Sequence, residues 1–360
     1  MVAARCTGQR GARGAAQVVE VEPRRRARRA GPTIDDVAAA AGVSRGTVSR
    51  VLNGGHGASP AAAAAVAAAV SATGYVASHS ARTLAGARSG AVALVVTESQ
   101  ERLFEDPTFS VLLRELTTRL TAQGFTLFLA LATEPEMRAG IVRQVRSGLL
   151  DGVLLVSTHG DEPLFAELLD AGAATVVVGP VLGRGVQLPQ VRAQNRSGAR
   201  ELTRHLLSRG RTRVAVLAGP TDTAGAHERV AGWADALPGE PDPAMVEHAV
   251  EYSHEAGRAA MVALLARRPD LDAVFVASDL LAGGALVALA GAGLTVPGDV
   301  AVGGFDDSVC ARTATPPLTT VHLPYELVAQ GLVDLLLQRL DGGHPAPVTV
   351  PTWLVIRGSS

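Results

Sequence analysis

From Ala91 to Ile356, short β-branched runs alternate with stretches whose apolar residues recur at helical spacing. VALVV (92–96), TLFLALA (126–132), GVLLVS (152–157), ATVVVG (174–179), VAVLAG (214–219), VFVAS (274–278) and VAVGGF (300–305) each read as a strand. Val111–Gln123, Met137–Ser147 and a stretch ending at Leu169 read as helices. A continuously apolar strand is buried on both faces, and strands separated by helices make parallel sheets with helices on each side. So many repeats predict two Rossmann-like α/β lobes with a cleft between them. At 360 residues and 47% hydrophobic, the chain can hold these lobes plus a small domain.

That architecture alone leaves many enzymes open. The motifs that would choose one are missing. The chain contains no Lys, so no P-loop can form. HERVA (227–231) and HEAGR (254–258) begin like a zinc-binding HExxH but lack its second His. GRG (183–185) and GAG (291–293) lack the third glycine of a dinucleotide fingerprint. No GxSxG elbow occurs, and the nine His form no ligand cluster. We therefore expect no enzyme, no metal and no cofactor. With two cysteines, Cys6 and Cys310, no disulfide framework is expected either.

The segment Thr33–Asn53, TIDDVAAAAGVSRGTVSRVLN, has a different character. Thr33 is an N-cap, and Asp36 places a carboxylate near the helix N-terminus. Ile34, Val37, Ala38 and Ala41 form an apolar face; Gly42 breaks the helix, and Ser44 caps a second one with Val48, Val51 and Leu52 inside. Two short helices around a tight turn make a helix-turn-helix, whose second helix is the usual reader of the major groove. Arg45, Thr47, Ser49 and Arg50 are its outward polar residues. Ser59 and Pro60 start a third, nearly all-Ala helix that Val66 and Val70 anchor and Gly74 ends.

The run AGVSRGTVSRVLNG closely resembles the first two helices of lac repressor (LacI/GalR) family regulators, and the order of segments over 33–360 follows that family. The resemblance implies a homodimeric transcriptional regulator, read as a repressor, that binds a pseudo-palindromic double-stranded DNA operator and a small-molecule effector, expected to be a sugar. It implies an N-terminal helix-turn-helix plus a two-lobed domain like the periplasmic sugar-binding proteins. Residues 1–32 are an Arg-rich arm read as a disordered, solvated tail; 33–76 bind DNA; 77–90 are a hinge; 91–360 bind effector and dimerise. Lobe one takes about 91–193 and 324–343, and lobe two about 194–323 and 344–360. DNA-contacting candidates are Thr33, Ser44, Arg45, Thr47, Ser49, Arg50, Asn53 and Tyr75, then Arg82, Leu84 and Arg88 in the hinge. By motif match Leu84 is the side chain that wedges into the minor groove and kinks the duplex, with Arg82 and Arg88 near phosphates.

For the cleft, the resemblance implies Arg229 in RVAGW as the residue that bridges effector hydroxyls, and Asp306 in GFDD as hydroxyl acceptor above Phe305. Asp279 stands beside the cleft, and Tyr252 and Phe109 supply aromatic faces. Carboxylates and Arg paired with hydroxyls, with aromatic rings on the C–H face, are the chemistry of sugar recognition. For either Asp, capping a helix in a βα loop is the competing role. Two positions depart from the family: Gly179-Pro180 follows VVV, and Gln194 replaces a common Asp. They favour a less hydroxylated ligand or one bound differently, or a regulator whose cleft is vestigial. The 280–291 helix, rich in Ala, Gly and Leu, is a possible dimer face, though core packing explains it equally well. No apolar run reaches the ~20 residues of a membrane helix and no signal core opens the chain, so a cytoplasmic protein without membrane contact is expected.

Overall fold

A computed structural model describes residues 31–52, 58–75, 88–160, 162–182 and 188–360. The Arg-rich arm up to residue 30, Asn53, and the hinge positions Arg82 and Leu84 lie outside the described residues. The chain divides into two compact units, Met1–Ser78 and His79–Ser360.

The first unit holds α1 (Ile34–Ala41), α2 (Arg45–Leu52) and α3 (Pro60–Thr73). Thr33 and Asp36 make a reciprocal capping box, and Gly42 closes α1 at φ +65°, a left-handed turn that a glycine enters without strain. Val37, Val48 and Val66, one from each helix, are fully buried together. α3 is terminated by Gly74 at φ +66°. So small a core rests on few side chains, each fully buried Val contributing roughly 1.5–3 kcal/mol.

Among the described residues the second unit has two six-stranded sheets. The first contains β1 (Ala91–Val96), β2 (Thr126–Leu131), β3 (Gly152–Val156), β4 (Ala174–Val178), β5 (Gln190–Ala193) and β11 (Val348–Val350), in the order β11-β5-β4-β3-β1-β2. The second contains β6 (Val214–Ala218), β7 (Val246–His248), β8 (Ala273–Val276), β9 (Ala301–Asp306), β10 (Thr319–His322) and β12 (Trp353–Val355), in the order β12-β10-β9-β8-β6-β7. All neighbours are parallel except β10 and β12. β1, β3, β6, β8 and β9 are buried nearly throughout, as their unbroken apolar runs predict.

The helices are α4 (Gln100–Glu105), α5 (Pro107–Ala122), α6 (Pro135–Arg146), α7 (Leu164–Asp170), α8 (Asn195–Ser208), α9 (Ala224–Ala236), α10 (His254–Arg267), α11 (Asp279–Gly291), α12 (Val309–Thr313) and α13 (Tyr325–Leu340). The chain passes between lobes three times. It leaves the first sheet after β5, returns from β10 into α13, whose Leu336 lies against Gly152 of β3, and crosses again between β11 and β12. The last crossing corrects the sequence-based lobe assignment, which gave all of 344–360 to lobe two. Val348–Val350 instead pairs with Val191–Ala193 in the first sheet. A three-residue strand after a Pro-rich loop is too short to carry its own pattern.

α11 packs closely on α10. A Cβ added at Gly284 would lie 1.9 Å from the His254 carbonyl oxygen, and one at Gly257 2.2 Å from that of Leu281. Core packing against α10 accounts for the small residues there. Leu281, Ala282, Ala285 and Leu289 are fully buried, while Val287 stays exposed.

Candidate functional site

The candidate DNA-contacting residues of the first unit lie mainly on α2. Ser44 accepts from the Thr47 amide at 3.2 Å and shares a 2.9 Å hydroxyl contact with Thr47, which fixes the start of α2. Arg45 and Arg50 are exposed, and Thr47 and Ser49 are half-buried on the same helix. Asp35 stands 3.9 Å from Arg45, a loose surface pair that leaves the guanidinium available. Thr33 is committed to its cap, donating to Asp36 at 2.7 Å from the backbone and 2.8 Å from the hydroxyl. These bonds hold the exposed Asp36 carboxyl below its usual value.

Two hinge-side candidates land elsewhere. Tyr75 packs half-buried against the three-helix core, so its ring serves that unit's stability. Arg88, expected near phosphates, donates to the Leu340 carbonyl at 2.7 Å and to Asp341 at 2.9 Å. It ties the start of the second unit to the end of α13, where unpaired helix carbonyls attract a cation.

The cleft between the lobes is lined by Arg229, Asp306, Tyr252 and Phe109 from the expected set. At its floor Arg229, on α9, donates Nε to Asn195 at 3.0 Å and Nη1 to the Ala277 carbonyl. Its Nη2 lies 3.6 Å from Asp306, and its guanidinium covers the Phe305 ring at 3.8 Å. Asp306 ends β9 with φ +107° and accepts from the Tyr325 hydroxyl at 3.3 Å. Burial raises the Asp306 carboxyl well above its usual value, and Arg229 opposes that. This set offers fixed donors and acceptors to a neutral, hydroxyl-rich ligand. Phe305 is fully buried beneath Arg229 and supports it from below.

Asp279 is not in the cleft lining. It is fully buried behind it, accepting from Thr320 Oγ1 at 2.6 Å and from the Ser308 amide at 2.7 Å. Both carboxylate oxygens are used to tie the head of α11 to the loop after β9 and to β10. The cap of α11 is Ser278, whose side chain accepts from Leu281.

Several cleft residues carried no sequence signal strong enough to select them. Asn195 lines the cleft, bound to Arg229 and to Glu228 at 2.9 Å, whereas its neighbour Gln194 does not. The departure at 194 therefore removes no group from this cleft; Gly179 does lie in the lining. Asp106 caps α5 and accepts from the Thr108 hydroxyl at 2.6 Å; both line the cleft just before Phe109. Tyr325 at the head of α13, Glu98, and Arg102 of α4 also line it. Arg102 is paired with Glu98 and lies 4.3 Å over the Tyr252 ring and 5.8 Å from the Phe109 ring. Among the described residues no His, Cys, Asp and Glu cluster is arranged to hold a metal, and no helix is long and apolar enough to cross a membrane.

A helix-turn-helix unit joined to two α/β lobes around a polar, aromatic-sided cleft defines a ligand-responsive DNA-binding regulator. Residues 33–78 match the model for bacterial regulatory proteins of the lacI family, and 203–360 match the periplasmic binding protein-like domain. The HTH-type transcriptional regulator CelR of Thermobifida fusca is 41% identical over 343 residues, 92% of this chain and 99% of that protein. A structure described as a transcriptional regulator CelR–cellobiose complex aligns with TM-score 0.73 and 38% identity over 91% of this chain and 100% of the other. The lac repressor dimer bound to operator and the anti-inducer ONPF aligns with TM-score 0.77 and 26% identity, covering 91% and 99% of the two chains. The chain belongs to the LacI family of transcriptional regulators.

Proposed function

We propose that this regulator is a homodimeric repressor whose affinity for a pseudo-palindromic operator is set by a sugar in the interlobe cleft, with a cellobiose-like β-glucoside as the first candidate. The observation that carries the reading is the Arg229–Asn195–Asp306 cluster, buried at the cleft floor with Tyr252 and Phe109 beside it. Adjacent hydroxyls match such a fixed array, and ring C–H groups match the aromatic faces. The relative at 41% identity supports the sugar class, since a CelR structure is described with cellobiose. The lac repressor dimer on operator supports the assembly. DNA contact is assigned to Arg45, Thr47, Ser49 and Arg50, together with Ser44, and the hinge wedge to Leu84.

Effector would act by changing the angle between lobes, and so the order of the hinges on DNA. A coupling of ~1–3 kcal/mol would change operator affinity about 5–150-fold. The test is a thermal shift with cellobiose and other sugars, paired with a mobility shift on the DNA upstream of this protein's own gene. Cellobiose should raise the melting temperature and alter the DNA affinity. Operator binding with no response to any sugar would leave an effector-independent regulator.

A further inference from the structure

His159 lies after β3 in the first lobe and Asp222 after β6 in the second. Its Nδ1 stands 2.9 Å from Asp222 Oδ2 and its Nε2 stands 3.1 Å from Glu98 Oε1. The main chains join at the same place. The Gly160 amide donates to the Asp222 carbonyl at 2.7 Å, and His159 and Thr223 form an antiparallel bridge. Glu98 also holds Arg102, whose guanidinium covers the ring of Tyr252 in the second lobe. One connected chain of charged and polar groups thus runs from α4 across to the opposite lobe.

Strand order tells where this bridge lies. The strands that begin or end the three links between the lobes gather at one side. β5 and β11 are neighbours at one edge of the first sheet and β10 and β12 at one edge of the second, the first link alone running on through α8 to β6. The bridging groups follow β1, β3, β6 and β7, toward the other edge. They therefore close the cleft on the side away from its hinge. Groups placed there act on a bound ligand's exit, with the longest lever arm against lobe opening.

We infer that Glu98, His159 and Asp222 form a closure clasp that holds the lobes over the effector and sets its residence time. His159 is a positioning residue in this scheme: it carries Glu98, and through it Arg102, against Tyr252. The inference rests on the reading of the cleft as an effector site. A clasp acts on escape more than on encounter, so its loss should change the dissociation rate rather than the association rate.

Two measurements on the full-length protein separate the clasp from that reading. In the first, hydrogen–deuterium exchange follows the Gly160 amide without any ligand. The wild-type amide should be protected, and His159→Ala and Asp222→Ala should both release it. Equal exchange in wild type and variants overturns the clasp whether or not a sugar binds. In the second, stopped-flow kinetics with cellobiose should show dissociation about 10–100-fold faster in His159→Ala, the effect of losing a hydrogen bond to a charged group, with association nearly unchanged. His159→Cys paired with Thr223→Cys, in a Cys6→Ser and Cys310→Ser background, adds a lock. Bridged residues of an antiparallel pair lie within disulfide reach. Oxidation after loading should trap cellobiose and reduction should release it. Free exchange from the oxidised protein overturns the clasp, whereas a wild type that never binds cellobiose overturns the effector assignment and leaves the amide-exchange result to judge the clasp.

Discussion

Arg229 lies on the face of Phe305, its guanidinium carbon 3.8 Å from the ring centroid, and reaches Asn195, Ala277 and Asp306 from that platform. A planar fork on an aromatic face is a property of Arg that Lys lacks. Arg229→Lys should therefore keep a charge near Asp306 yet lose the bond to Asn195 and the stacking. Its expected phenotype is normal operator binding with a lost sugar response, read by mobility shift with and without cellobiose. Arg229→Ala should in addition destabilise the fold, because it leaves the buried Asn195 Oδ1 and Ala277 carbonyl without their donor, a lost partner costing about 1–3 kcal/mol each. Denaturation of the second unit checks that. A fully stable, sugar-responsive Arg229→Ala protein would remove the residue from the site.

The two-sheet architecture was legible because its central strands are buried on both faces and so announce themselves as runs such as VALVV and VAVLAG. β2 reads the same way although it is an edge strand with Phe128 and Leu129 exposed. Three-residue strands were not: β7, β11 and β12 take their structure from partners distant in sequence. In the site, Arg229 and Asp306 were reachable because each sits in a distinctive run just after a strong strand. Asp279 occupies a similar place, and its local sequence cannot reveal that Thr320 and Ser308 consume both oxygens from behind. Glu98, His159 and Asp222 come together, with Arg102 of α4, from three loops separated by up to 124 positions. A polar residue in such a loop looks solvated until its opposite lobe is known.

Asp279 makes stability pH-dependent. Burial pushes its carboxyl up to about 7 from 3.8, even though Thr320 and Ser308 donate to it. The folded state then holds a proton that the unfolded chain has lost. Stability contributed by this group is complete below pH ~3.8 and falls as pH rises toward 7, at up to ~1.4 kcal/mol per pH unit. Asp306 shifts in the same direction, so the contribution must be isolated by difference. Asp279→Asn, which cannot ionise, should flatten the decline between pH 5 and 7 in chemical denaturation of the second unit. An unchanged slope would mean that Asp279 stays ionised in its buried position.

Gly219 ends the VAVLAG run, and a Cβ there would lie 2.2 Å from the Tyr252 ring carbon and hydroxyl. The ring that faces the cleft rests directly on this backbone. Gly219→Ala must push Tyr252 away, and overpacking of this kind costs about 1–3 kcal/mol. The informative result is a weakened cellobiose thermal shift beyond that loss of stability. DNA affinity without sugar should stay as in wild type, because the helix-turn-helix is a separate compact unit.

The proposed DNA face draws its positive charge from two arginines, because α3 carries no charged residue and α2 has none besides Arg45 and Arg50. Their roles can be separated by salt. An arginine on phosphate releases counterions, so its removal weakens binding to every sequence and lowers the salt slope by about one. An arginine on a guanine edge costs ~1–3 kcal/mol at one base position and relaxes specificity there. Arg45 is at the start of α2, the end that enters the groove in helix-turn-helix proteins. Arg45→Ala should thus relax base preference in operator-variant titrations. Arg50, in the last turn, should behave as a phosphate contact, its Ala variant shifting the slope of affinity against salt without changing which operator is preferred. Leu84→Ala supplies the control from the hinge: specific operator affinity should fall while cellobiose binding holds. Specificity retained in Arg45→Ala and lost in Arg50→Ala would reverse the orientation assigned to α2, since the opposite end of the helix would then be reading the bases.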